Sequence, residues 1–200
     1  MLSLPKATEL NKQLPKKAIY AKFHMNTAAK DKFDGDISKI MISSEISPAT
    51  VSIAAGAEIS SIFVLLVTLK RQNFDPNIIA LLSKLIDQKM LLVLEYNGQR
   101  CLAIYHNKLI CSNWTPAESC TVTLKGLDLD SVWENLILEV GQIQISEGRT
   151  LDQQIAEDEK RAKLEKEIQK LEKLARAEKQ PRKKFELVER IHSLEKEISL

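Results

Sequence analysis

Four residues of this chain are the best candidates for chemistry: Asp34, Asp36, Glu58 and Lys70. Two or three carboxylates can hold Mg²⁺ through their oxygens, and a lysine beside them can serve the attacking water, as a metal-dependent nuclease requires. Such a site usually carries an acidic residue, one intervening residue and the lysine on a single strand. Here Glu58 and Lys70 stand twelve positions apart. One strand cannot bring them together, so the plainer expectation is that these acids are turn and cap groups.

Other catalytic patterns are missing. The 6 glycines are scattered and none precedes a Lys-Ser/Thr pair, which excludes a Walker loop. There is no G-x-S-x-G elbow. His24, His106 and His192 are far apart and share no metal-ligand spacing. Cys101, Cys111 and Cys120 form no C-x-x-C pair, and an odd count of 3 suits reduced thiols in a cytosol better than a disulfide framework. These features lead to the expectation of a non-catalytic protein that needs neither metal nor cofactor.

Charge is nearly balanced, with 29 Lys+Arg against 27 Asp+Glu, so the whole-chain value does not argue for nucleic acid. The distribution is less even. Lysines outnumber acids before Ile40, Lys16 and Lys17 among them, and Lys179, Arg182, Lys183 and Lys184 form a second basic group. These six are the candidates for phosphate contact, although lysines also gather at exposed turns. The longest apolar runs, Ile62–Val67 and Met90–Leu94, are far shorter than the ~20 residues of a membrane span. Pro5, Lys6, Glu9 and Lys12 interrupt any signal-peptide segment. A soluble, cytoplasmic protein without membrane contact is expected.

The elements that would position these residues are legible in part. Met1–Asn11 reads as a short helical or irregular segment, and Ile19–Phe23 as a strand after Pro15. Asn26 or Thr27 can cap a helix reaching about Ile37. Ile40–Ile46 suits an extended segment, and Val51–Ala55 a further strand. Ile59–Lys70, apolar and β-branched almost throughout, fits a central strand buried on both faces. Asp75-Pro76 is a helix start, since Asp75 can accept from free backbone N–H groups and Pro76 fits the first turn.

Met90–Tyr96, Asn97-Gly98 and Gln99–Tyr105 form a β-hairpin, because Asn-Gly supplies the positive φ angles of a two-residue turn. Counting outward sets Glu95 opposite Arg100 and Val93 opposite Leu102. A turn at His106–Lys108 leads to Leu109–Trp114, and Cys120–Lys125 reads as another strand. Ser131–Glu134 has the pattern of a capping box ahead of a helix through Ile143.

The last quarter changes character. Leu151 to Ala177 holds neither Gly nor Pro, and a second charged helical stretch runs from Lys183 to Leu200. Leu164, Ile168, Leu171 and Ala175 recur at four, three and four residues, as do Leu187, Ile191, Leu194 and Ile198. Two antiparallel arms could cover one another's seams, or the seam could dock on a second copy or a larger protein. The expected class is α+β: a mostly antiparallel sheet with packed helices over residues 1–148, then a coiled-coil-like helical hairpin over 149–200 turning near 179–182.

Several blocks together resemble an uncharacterised bacterial and archaeal domain family of unknown function. They are Leu4-Pro5 with Asn11-Lys12 and Leu14-Pro15-Lys16, Ile46-Ser47-Pro48-Ala49-Thr50, the strand Ile59–Lys70, and Tyr96-Asn97-Gly98. Gly126-Leu127-Asp128-Leu129-Asp130 with Trp133-Glu134-Asn135, and Lys179-Gln180-Pro181, complete the match. The resemblance covers most of the chain, and no single block is specific. It implies an accessory role beside helicase and DNA-methyltransferase subunits of restriction-modification or phage-defence loci, and it carries over no catalytic residue. Glu45 stands where members tend to have Lys, which weakens any basic groove there.

Overall fold

The structure, a computed structural model, describes residues 2–198. Met1, expected to begin the first segment, and Ser199 and Leu200, expected to end the second tail arm, lie outside the described residues. The chain divides into two units, Met1–Ile143 and Gln144–Leu200.

The first unit is built on seven strands: β1 (Glu9–Gln13), β2 (Ile37–Ile46), β3 (Ile62–Leu69), β4 (Lys89–Tyr96), β5 (Gln99–His106), β6 (Lys108–Cys111) and β7 (Thr115–Pro116). Their order is β1-β2-β3-β4-β5-β6, with β7 paired to β5. Every ladder is antiparallel except β3–β4, where the helix α3 (Pro76–Leu82) makes the crossover a parallel pair needs. The apolar run of β3 therefore lies inside the sheet, between β2 and β4.

Strand alternation sorts the core into two faces. Leu65, Val67 and Leu69 of β3 join Met90, Leu92 and Leu94 of β4 in one buried cluster. Ile19 from α1 (Lys16–Lys22), Phe33 from α2 (Thr27–Asp36) and Ile78, Ile79 and Leu82 from α3 belong to the same cluster. The alternate residues Leu91, Val93, Leu102 and Ile104 are equally buried. The helix α4 (Leu129–Gly141) lies against β5 and β6 and buries Leu129, Val132, Trp133, Leu136, Ile137 and Val140. Each such side chain contributes about 1.5–3 kcal/mol of burial free energy.

Local chemistry sets the ends of these elements. Asn97 and Gly98 take φ of 46° and 73°, and the hairpin pairs Glu95 with Arg100 and Val93 with Leu102, as counted from the turn. Asn26 caps α2 by accepting from Ala29 N–H, and Asp75 caps α3 by accepting from Asn77 N–H.

Other expectations are corrected. Ile19–Phe23 is not a strand: Lys16 to Lys22 form α1, whose Ile19 points into the core. The first segment contributes a 3₁₀ turn at Lys6–Thr8 and then the edge strand β1, whose residues are all exposed and so carry no alternating pattern. Val51–Ala55 makes only an isolated bridge from Ala54 to Asp128, and Cys120–Lys125 is not a strand. The cap of α4 is Asp128, which accepts from Ser131 N–H at 2.8 Å; the helix has already begun at Leu129, so Ser131 falls inside its first turn.

The second unit is a pair of helices, α5 (Leu151–Ala177) and α6 (Pro181–Ile198). Thr150 and Gln153 form a reciprocal capping box at the start of α5. Pro181 is the first residue of α6 rather than part of the turn, because a first-turn residue needs no N–H partner. The connection is Glu178, Lys179 and Gln180.

Candidate functional site

The acids singled out in the sequence do not assemble into a metal site. β3, 8 residues long, separates Glu58 from Lys70; at about 3.3 Å per residue that is roughly 25 Å. Among the described residues, no group of three or more His, Cys, Asp or Glu could hold a metal ion.

Asp34, Asp36 and Lys70 do meet at one end of the sheet, and there they are occupied. Asp34 accepts from Lys16 Nζ and from Tyr20 Oη, both at 2.6 Å. The Lys16 bond, then the Tyr20 bond, holds the Asp34 carboxyl below its ordinary range, with Lys70 contributing at longer reach. Burial, and then the bond to Asp34, pushes the Tyr20 phenol up to about 12. Tyr20 also meets Phe33 edge to face at 5.7 Å. Asp36 is 0% exposed; it pairs with Arg71 Nε and accepts from Asp75 N–H at 2.9 Å. Its backbone carbonyl accepts from Lys70 N–H at 2.8 Å. This network ties α1, α2 and the β3–α3 loop together. Its carboxylates are engaged by these partners.

Lys16 is therefore committed to Asp34 and to the carbonyl of Ile37, which leaves Lys17 as the exposed member of that basic pair. In the second unit Lys179, Arg182, Lys183 and Lys184 are all exposed around the start of α6. Arg182 faces Glu186 at 3.5 Å, while among the described residues the three lysines make no ion pair.

The tail seams meet each other. Ile168, Ala175, Ile191 and Leu194 form a buried cluster, with Leu164, Leu171, Leu187 and Ile198 packed against it. Lys160–Glu197 at 3.2 Å and Glu167–Arg190 at 3.6 Å flank that contact and set the helices antiparallel. Of the eight seam residues four are thus buried in the hairpin and four are half-buried. What the hairpin leaves outward is Leu174, 49% exposed, and Phe185, 63% exposed. Near them a groove of about 540 Å³ is lined by Leu174, Ala177, Glu178, Lys183, Glu186 and Leu187.

Glu58 stands at the other end of the sheet, in a cleft with Lys84, Lys89, Tyr105 and Trp133. Sequence reasoning passed over these four. They come from the α3–β4 loop, the ends of two strands and α4, so no local spacing links them.

Residues 2–198 match the sequence model of a family described as Domain of unknown function (DUF4391), and the chain belongs to that family. No curated protein and no solved structure matches it.

Proposed function

We propose that this protein is a non-catalytic accessory subunit of a DNA-processing system, of the restriction-modification or phage-defence kind, which docks through its C-terminal helical hairpin. The observation that carries this reading is the exposure of Leu174 and Phe185 on a hairpin whose seam residues already pack on one another. A hairpin that only stabilised itself would gain nothing from an outward phenylalanine, whereas exposed aromatic anchors suit a protein interface. The groove beside Leu174 mixes apolar wall with Lys183, Glu178 and Glu186, as a partner helix with polar flanks would require. The favoured partner is a larger helicase- or methyltransferase-type protein, with a second copy of this chain as the competing occupant.

The test keeps the chain whole. Leu174→Asp and Phe185→Asp alter exposed positions and should leave the helix content unchanged by circular dichroism. Wild-type protein should co-purify with a helicase or methyltransferase encoded beside it, and both variants should lose that association. Retention by both variants overturns the docking surface. Light scattering of the isolated protein separates the alternatives, since a concentration-dependent dimer abolished by Phe185→Asp would assign the surface to self-association.

A second reading draws on the exposed Lys179, Lys183 and Lys184: direct contact with nucleic acid at the hairpin tip. Phosphate contacts release counterions, so affinity for duplex DNA should fall steeply with salt and weaken when the three lysines become glutamine. Salt-independent binding would exclude this reading.

A further inference from the structure

The cleft around Glu58 is a second place in the molecule where chemistry converges, and it is independent of the hairpin. Its volume is about 530 Å³, within the ~300–1,000 Å³ of small-molecule sites. Its walls come from the loop before β3 (Glu58, Ile59), the loop after α3 (Lys84, Asp87, Gln88), the start of β4 (Lys89, Met90), Tyr105 of β5 and Trp133 of α4. The loop before β3 is held by Asp130, which accepts from the N–H groups of Ala57, Glu58 and Ile59. One wall is thus fixed in advance.

Two features of the lining point to a ligand. Lys84 Nζ lies 5.5 Å from the Tyr105 ring centre, and Lys89 Nζ lies 5.9 Å from that of Trp133. Among the described residues neither ammonium group forms an ion pair, although Glu58 and Asp87 line the same cleft. Lysines resting on aromatic faces are cations available to an anion, and their departure uncovers the rings for stacking. Second, Glu58 and Asp87 carry exposed carboxylates able to accept from hydroxyl or amino groups.

We propose that this cleft binds a mononucleotide, with Lys84 and Lys89 on the phosphate, the Tyr105 and Trp133 rings against the base, and Glu58 or Asp87 accepting from the sugar hydroxyls. A bare phosphate would leave the aromatic walls unused, and a nucleoside would leave the ammonium groups unused. The combination of groups selects the molecule that has both parts.

The test uses the full chain carrying Trp114→Phe, which makes Trp133 the remaining indole. The four ribonucleoside monophosphates, the matching nucleosides and inorganic phosphate are titrated by calorimetry and by tryptophan fluorescence. At least one nucleotide should quench Trp133 and bind at least tenfold more tightly than its nucleoside or phosphate. Lys84→Gln with Lys89→Gln should weaken that nucleotide tenfold or more and flatten its salt dependence, and Tyr105→Leu should weaken it without changing the salt slope. These substitutions sit at exposed or half-buried positions, and an unchanged thermal midpoint confirms a folded protein. Absence of binding by all four nucleotides at millimolar concentration overturns the proposal. So does equal binding of phosphate alone, or affinity indifferent to the lysine pair.

Discussion

Gly56 stands where any side chain would collide with Asp130: a Cβ at position 56 would lie 2.1 Å from Oδ1 of that carboxylate. The approach is close because Asp130 reaches from the first turn of α4 to three consecutive N–H groups. It takes Ala57 at 2.7 Å, Glu58 at 3.2 Å and Ile59 at 2.9 Å. Glycine is required here for space rather than for backbone angle. Gly56→Ala should cost about 2–3 kcal/mol by forcing the carboxylate off its donors, and Asp130→Ala a similar amount. In urea unfolding the double variant should fall well short of the sum, because both changes remove the same bonds. Simple additivity would show that Gly56 acts by another route.

Asp36 and Arg71 form an asymmetric ion pair, with side chains 0% and 56% exposed. Removing the exposed partner leaves a fully buried carboxylate without its counter-charge, whereas removing the buried one strands only the N–H of Asp75 and leaves a guanidinium in water. Arg71→Ala should therefore destabilise by about 3 kcal/mol and Asp36→Ala by about 1–2 kcal/mol. Equal losses in denaturant unfolding would contradict this ranking.

The Tyr20–Asp34 bond makes stability depend on pH at both extremes. Asp34 titrates below its ordinary value, so its contribution is present above the unfolded carboxylate range and is lost as pH falls through the lowered folded value. Tyr20 titrates above its ordinary value, so its contribution is present below pH 10 and is lost as pH rises towards about 12. Asp34→Asn should flatten the acid limb of a stability–pH curve, and Tyr20→Phe the alkaline limb. In an absorbance titration of phenolate, the last phenol to ionise should vanish with Tyr20→Phe.

The three thiols should react in sequence. Cys111 is exposed, and the bond from Cys101 lowers its pKa. Bonding to Cys111, together with burial, pushes the Cys101 thiol up, while burial does the same to Cys120. In native protein a thiol reagent should modify one group quickly and the other two only on unfolding. Cys111→Ser should remove the fast phase. A fast phase surviving that change would relocate the reactive thiol.

Much of the architecture could be read from the linear chain. The Asn97-Gly98 turn, the register it imposes, the caps at Asn26 and Asp75 and the two tail seams all follow from neighbours within a few residues. Turn geometry, capping and helical periodicity are local physics. The α+β class and the central place of β3 follow from the same patterns, since a continuous apolar run has to lie inside a sheet.

Long-range contact settled the rest. Tyr20 could have belonged to a strand until Phe33 and Asp34 gave an α1 helix something to rest on. β1 is an exposed edge whose only instruction is the neighbouring β2. Asp34 and Glu58 read alike in sequence, yet β2 runs between them and sets them at opposite ends of the sheet, one in a hydrogen-bonded network and the other beside an open cleft. That cleft was invisible along the chain because its groups come from five segments, and a site of that kind is specified by packing rather than by spacing.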